Sequence, residues 1–282
     1  MQSLRFGVGA NMDSVSSDGD QTFECSDGGR LRYAVAGSGE PVVFLHGFGL
    51  DLDMWDPQWQ VFAKAYRVVR YDLRGYGGSS LPAGRYSHVD DFVALSGFLR
   101  AHPAHLIGLS LGGRLALRIA AQVPAAVRSL TLVDAALDGH DWSADWSQRW
   151  RAMIAAAQTD LPHAKQLWLE HDLFVPARAN PSARKALDAM VRRYSGWHFK
   201  NDDPGTGPIQ PFADSLARIV APTMVIVGSL DLPDFQAIAL TLKAEMPHAS
   251  LRVMPNVGHM PNLENARDFN QLVLTHIASC RA

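Results

Sequence analysis

Short runs of apolar residues, rich in β-branched side chains, recur along the chain, and each ends in a turn-forming or polar residue. One group comprises Val42–Gly47 (VVFLHG), Tyr66–Asp72 (YRVVRYD), Ala104–Ser110 (AHLIGLS) and Ser129–Asp134 (SLTLVD). A second comprises Thr223–Gly228 (TMVIVG) and Leu251–Pro255 (LRVMP). These runs lack the apolar–polar alternation of a half-solvated strand. They predict strands buried on both faces, as in a parallel sheet covered by helices. The segments between them, such as Leu111–Gln122, place apolar residues at helical spacing. The alternation predicts an α/β fold, with a mostly parallel central sheet, flanking helices and right-handed crossovers. An earlier run, Arg30–Ala36, precedes the turn Gly37-Ser38-Gly39 and is expected to form a hairpin with Val42–Leu45.

The rhythm breaks between residues 137 and 211. This stretch holds Trp142, Trp146, Trp150, Trp168 and Trp197, five of the seven tryptophans. Its pattern predicts helices over Ala144–Gln158, Leu161–Glu170 and Pro181–Tyr194, with Pro162 and Pro181 in first-turn positions. The turn-rich NDDPGTGP at Asn201–Pro208 closes it. A helical insertion after the sixth strand predicts a cap, or lid, over the sheet's C-terminal edge. The expected organisation is a flexible leader over 1–21, a core over 22–136 and 212–282, and a cap over 137–211.

Bulk properties narrow the function classes. An apolar fraction of 47% in 282 residues supports a substantial core. A formal net charge of −2 argues against nucleic-acid or anionic-membrane partners, which call for a basic surface. No apolar stretch has the length of a signal peptide or a membrane span, so a soluble cytoplasmic protein is expected, as monomer or homodimer. Cys25 and Cys280 belong to no C-x-x-C pair and predict unpaired thiols and no metal site.

The chemistry centres on Gly108-Leu109-Ser110-Leu111-Gly112-Gly113, which follows a predicted strand and opens a predicted helix. A G-x-S-x-G sequence in that setting predicts a nucleophile elbow. The chain reverses sharply at the serine, and residues two before and two after approach too closely for side chains, hence Gly108 and Gly112.

Five segments occur together in a recognisable order: His46–Gly49 (HGFG), Asp72–Ser79 (DLRGYGGS), the elbow, Gly228–Asp231 (GSLD) and Gly258–Glu264 (GHMPNLE). With them the sequence resembles the α/β-hydrolases from about Leu31 to Ile277, closest to small bacterial esterases and enol-lactonases with a helical cap. The resemblance implies that His46 and Asp72 are framework residues.

A serine hydroxyl needs a base, and His259 is the best placed of eleven histidines, in a loop after the last strand. The imidazole needs a carboxylate to fix its tautomer. Asp231, after the strand Thr223–Gly228, fits the chain order Ser–Asp–His. Asp134, at the end of the preceding strand, is the alternative acid, and Asp234 is the weaker rival, suited to capping the helix that follows it. The oxyanion donors are expected to be the backbone amides of Phe48 and Leu111.

For the substrate pocket the candidates are Trp197 and His198 from the cap, with Leu232 beside the acid and Met260 beside the base. The four-residue spacing of Trp142, Trp146 and Trp150 suggests a packing stripe instead. These residues predict a serine hydrolase that needs no cofactor or metal and cleaves a small to medium apolar ester or lactone. Two other readings keep the same residues. One is a carbon–carbon bond hydrolase or perhydrolase, separable by activity on ring-cleavage dienoates or with peroxide. The other is a ligand receptor on a hydrolase scaffold, which would bind a partner protein only with ligand. Dehalogenase chemistry is disfavoured because its nucleophile is an aspartate and position 110 is serine.

Overall fold

The apolar runs assemble into one eight-stranded sheet in a computed structural model, which describes residues 20–205 and 213–280. Residues 1–19 of the expected leader and 206–212 at the end of the expected cap lie outside the described residues. The strands are β1 (Gln21–Glu24), β2 (Arg30–Ala36), β3 (Pro41–Leu45), β4 (Arg67–Tyr71), β5 (Ala104–Leu109), β6 (Val127–Val133), β7 (Thr223–Gly228) and β8 (Ala249–Met254). Their order across the sheet is β1-β2-β4-β3-β5-β6-β7-β8. β1 and β2 run antiparallel to their neighbours, and every other pairing is parallel.

Two expectations at the N-terminal side need correction. Gln21, assigned above to the leader, opens β1 opposite Tyr33, and Asp20 pairs with Arg32 at 2.7 Å. The expected hairpin between β2 and β3 does not form. β2 pairs with β4, Tyr33 opposite Tyr71, and β3 lies beyond β4, between it and β5. Val42 to Leu45 are buried on both faces of the sheet, which suits an interior strand flanked by two parallel partners.

Outside the stretch between β6 and β7 the helices are α1 (Asp56–Ala63), α2 (His88–Phe98), α3 (Leu111–Gln122), and, after β7, α10 (Pro233–Glu245), α11 (Pro261–Glu264) and α12 (Ala266–Ser279). Between β6 and β7 the chain forms α4 (Ala144–Ala157), α5 (Leu161–Glu170), α6 (Val175–Ala179), α7 (Pro181–Arg193), α8 (Trp197–Lys200) and α9 (Ala213–Leu216). The three longer insertion helices begin where the sequence places them, because each start is capped. Ser143 accepts from Trp146 N, Asp160 from His163 N, and Asn180 from the amides of Ser182 and Ala183.

The insertion is fastened to the loops at the C-terminal ends of the strands. Arg193 forks onto Asp51 with N–O distances of 2.8–3.1 Å, and Asn180 Nδ2 donates to Glu264 O at 3.0 Å. Backbones approach closely there. A Cβ on Gly49 would lie 2.7 Å from Trp168 Nε1, and one on Gly258 would lie 2.6 Å from Pro176. No helix among the described residues is long and apolar enough to cross a membrane.

Candidate active site

Ser110 stands between β5 and α3 with φ 53° and ψ −112°, a left-sided backbone that a serine adopts only under constraint. The constraint is visible in its hydrogen bonds. Ser110 N donates to Val133 O of β6 at 2.9 Å, while Ser110 O accepts from Arg114 N and Ala136 N at 3.0 and 3.1 Å. A Cβ on Gly108 would fall 2.3 Å from Gly112 O, and one on Gly112 would fall 2.1 Å from Leu45 O. Both glycines are therefore needed to seat the start of α3 against the ends of β3 and β5.

His259 follows β8 in a loop held from both sides by one carboxylate. Glu264 accepts from Gly258 N at 2.6 Å and from Met260 N at 3.0 Å. The imidazole is 2% exposed, packs on the Phe235 ring at 4.3 Å, and bonds through Nδ1 to Asp231 Oδ2 at 2.8 Å. Donation from Nδ1–H to a carboxylate leaves the lone pair on Nε2, the tautomer required of a base. Asp231 is itself oriented, since its other oxygen accepts from Leu232 N at 2.7 Å.

Asp134 lies behind this pair. One of its oxygens accepts from Gly228 N at 2.9 Å, and ligand atoms of Asp134, Asp231 and His259 fall within 4.8 Å of one another. Burial and the neighbouring Asp231 charge push the Asp134 carboxyl well above the usual carboxylate range. The shift favours the protonated form of the Asp134 carboxyl. The same three residues are the one group among the described residues with metal-ligand proximity. Of their donor atoms, His259 Nδ1 is engaged with Asp231 and Asp134 Oδ1 with Gly228. Asp234 serves the insertion, accepting from Ser143 N and Oγ at 2.9 and 2.8 Å.

Phe48 follows β3 through His46 and Gly47, and Leu111 is the first residue of α3, so their amides belong to the two loops flanking Ser110. His46 is a framework residue: Nδ1 bonds to Gly47 O at 2.8 Å and Nε2 accepts from Leu73 N at 2.9 Å. Asp72 is another, accepting from Leu52 N and Gly78 N at 2.7 Å and from Arg32 at 3.0 Å.

A cavity of about 460 Å³ opens on Ser110, walled by Phe48, Trp142, Trp146, Trp150, Trp168 and Phe235. A second, of about 590 Å³, shares Phe48, Leu111, Arg114 and Trp150 with it and continues past Tyr76 and His198. The alpha/beta hydrolase family matches residues 42–272. The chain belongs to the alpha/beta hydrolase family.

Among its relatives is the dihydrolipoyllysine-residue acetyltransferase component of the acetoin cleaving system of Cupriavidus necator. It is 33% identical over 90% of this chain and 68% of its own length. The pimeloyl-[acyl-carrier protein] methyl ester esterase of Chromobacterium violaceum is 32% identical over 88% of this chain and 98% of its own. A solved N-acyl homoserine lactone degrading enzyme superposes with a TM-score of 0.75 at 28% identity, covering 90% of this chain and 99% of the other.

In this alpha/beta hydrolase the sequence-predicted residues divide. Ser110, Phe48 and Leu111 meet at the cavities, and His259 meets Asp231. Of the four predicted pocket residues, His198 lines the second cavity, stacked on Tyr76 at 4.3 Å. Trp197 packs its ring on His198, Leu232 is half-buried beside Asp231, and Met260 is buried; none of these three lines either cavity. The tryptophan stripe packs against the core, as expected, and also walls the Ser110 cavity. Trp142 and Trp146 stack at 4.6 Å and meet Phe235 edge-on, which leaves them half-buried around open space. Sequence reasoning did not single out Arg114 or the Glu264 clamp. For Glu264 the signal was available in its place at the end of the quoted GHMPNLE segment.

Proposed function

We propose that this protein is a serine hydrolase of carboxylic esters or lactones with a small to medium, largely apolar body. The observation that carries the proposal is the 2.8 Å hydrogen bond between buried His259 and Asp231, in a chain whose serine sits at a constrained strand–helix turn facing an aromatic cavity. His259 Nε2 takes the Ser110 proton as Oγ bonds to the carbonyl carbon, and Asp231 stabilises the imidazolium. The amides of Phe48 and Leu111 receive the oxyanion, each contributing about 3 kcal/mol to transition-state stabilisation. Collapse breaks the bond to the leaving oxygen, which takes the proton from His259. Water, activated by the same imidazole, then releases the acid. A lactone follows the same steps and leaves as a single hydroxy acid.

The activities of two relatives, a methyl ester esterase and a lactone-degrading enzyme, support this bond type. Two free thiols, Cys25 and Cys280, suit a cytoplasmic setting. Hydrolysis of 4-nitrophenyl acetate and butyrate by the wild type and Ser110→Ala is the test. A loss of at least a thousandfold in kcat/KM is expected; an unchanged rate would remove Ser110 from the mechanism.

A further inference from the structure

Arg114 is one helical turn beyond Ser110 on α3, its amide bonded to Ser110 O at 3.0 Å. Arg114 lines both the Ser110 cavity and the adjoining one. We propose that Arg114 anchors a carboxylate on the substrate, so that the ester or lactone carries one negative charge a few bonds from the carbonyl attacked by Ser110. This deepens the hydrolase reading above and rests on it.

The charges around the cavities single out this guanidinium. Asp138, the carboxylate nearest to it, is already held by Arg118 through two bonds of 2.6 and 2.8 Å and approaches Arg114 only to 3.9 Å. Among the described residues the Arg114 guanidinium makes no hydrogen bond, although 37% of its side chain stays accessible. Lys200, Asp202 and Asp203 stand exposed at the rim of the second cavity. The two histidines there, His88 and His198, are pulled by burial down to about 3 and about 4, so both are neutral at pH 7. Arg114 is thus the one cationic side chain among the described residues that lines both cavities; Arg151, exposed, lines the Ser110 cavity alone.

An arginine in such surroundings presents up to five donors in a planar fork that fits a carboxylate. Partial desolvation strengthens the attraction for an anion that reaches it. The tryptophans and Phe48 would cover the apolar remainder of the same molecule.

The test compares matched charged and neutral esters. Mono-4-nitrophenyl glutarate and its methyl ester place the charge on the acyl side; 4-acetoxybenzoate and its methyl ester place it on the leaving group. For at least one pair, wild-type kcat/KM is expected to favour the charged ester by tenfold or more. The ratio should fall below threefold in Arg114→Gln and lie between in Arg114→Lys, which keeps the charge but loses the fork. If Arg114→Gln does not fold, the Arg114→Lys ratio decides: an undiminished preference would overturn the proposal. Hydrolysis of all four esters without preference would also overturn the anchor while leaving the hydrolase reading intact. If no ester is hydrolysed, the hydrolase reading fails, and calorimetry with monomethyl glutarate judges the anchor separately. Tenfold weaker binding by Arg114→Gln than by the wild type would support it, and equal binding would overturn it.

Discussion

Asp134 and Asp231 are the same side chain in two electrostatic settings, and the difference sets their roles. Asp231 faces the imidazole and accepts its Nδ1–H; Asp134 is 1% exposed, and burial beside the Asp231 charge pushes its carboxyl above the usual carboxylate range. An asparagine at 134 can still accept from Gly228 N, the one hydrogen bond recorded for the Asp134 side chain among the described residues. Asparagine also tolerates the φ of 41° found there. Asp134→Asn is therefore expected to keep kcat/KM within about threefold. Asp231→Asn presents an amide where a carboxylate must accept, and on the order of 10³–10⁴ in kcat should be lost. Steady-state kinetics of the two variants side by side check this, and a collapse confined to Asp134→Asn would reverse the assignment. From sequence the choice stayed open because both residues end neighbouring parallel strands. Only the position of His259 after β8 distinguishes them, and that is a matter of loop conformation.

At the scale of elements, the turn from β5 into α3 depends on backbone contact that no side chain can mediate. Gly112 packs against Leu45 O so closely that Gly112→Ala must push α3 away from β3. A cost of about 3 kcal/mol is expected from overpacking, lowering Tm by roughly 6–12 °C. Activity should fall too, because Ser110 and the Leu111 amide ride on that helix start. Gly97→Ala in α2 is the control: nothing lies within 4 Å of its Cβ, and a helix interior favours alanine by about 0.5–1 kcal/mol. Thermal unfolding of both variants tests the pair; equal Tm values would show that the elbow tolerates a methyl group.

This turn was legible in the sequence, since its glycines are dictated by local geometry, and so were the capped insertion helices. Other features were not. The place of β3 beside β5 depends on which strands share neighbours, and Gly37-Ser38-Gly39 offers a hairpin signal that the sheet order overrides. The tryptophan stripe shows a face without showing what covers it. Arg114 carries no motif of its own, and its isolation depends on Asp138 choosing Arg118, a preference set by side-chain packing.

For the molecule as a whole, the buried histidines tie stability to pH. His88, His171 and His198 are drawn by burial to about 3, about 4 and about 4 in the folded chain, against about 6.5 when unfolded. Below pH 6.5 the unfolded chain binds protons that the folded chain refuses, so stability falls with falling pH, by up to about 1.4 kcal/mol per pH unit for each histidine. Asp134 acts in the opposite direction. Its raised folded pKa means the folded chain holds a proton that the unfolded chain has released above the ordinary carboxylate range, which stabilises the fold as pH falls. Between pH 6.5 and 5 the ordinary carboxylates hardly titrate, and the histidines outnumber Asp134. Urea unfolding over this interval should therefore show a net loss of stability toward acid. His88→Gln is expected to flatten the slope by about 0.7 kcal/mol per pH unit at pH 6.5, rising toward about 1.4 near pH 5, and Asp134→Asn to steepen it by up to about 1.4 kcal/mol per pH unit. A slope unchanged by His88→Gln would mean that His88 binds its proton equally in both states, against the burial that surrounds it here.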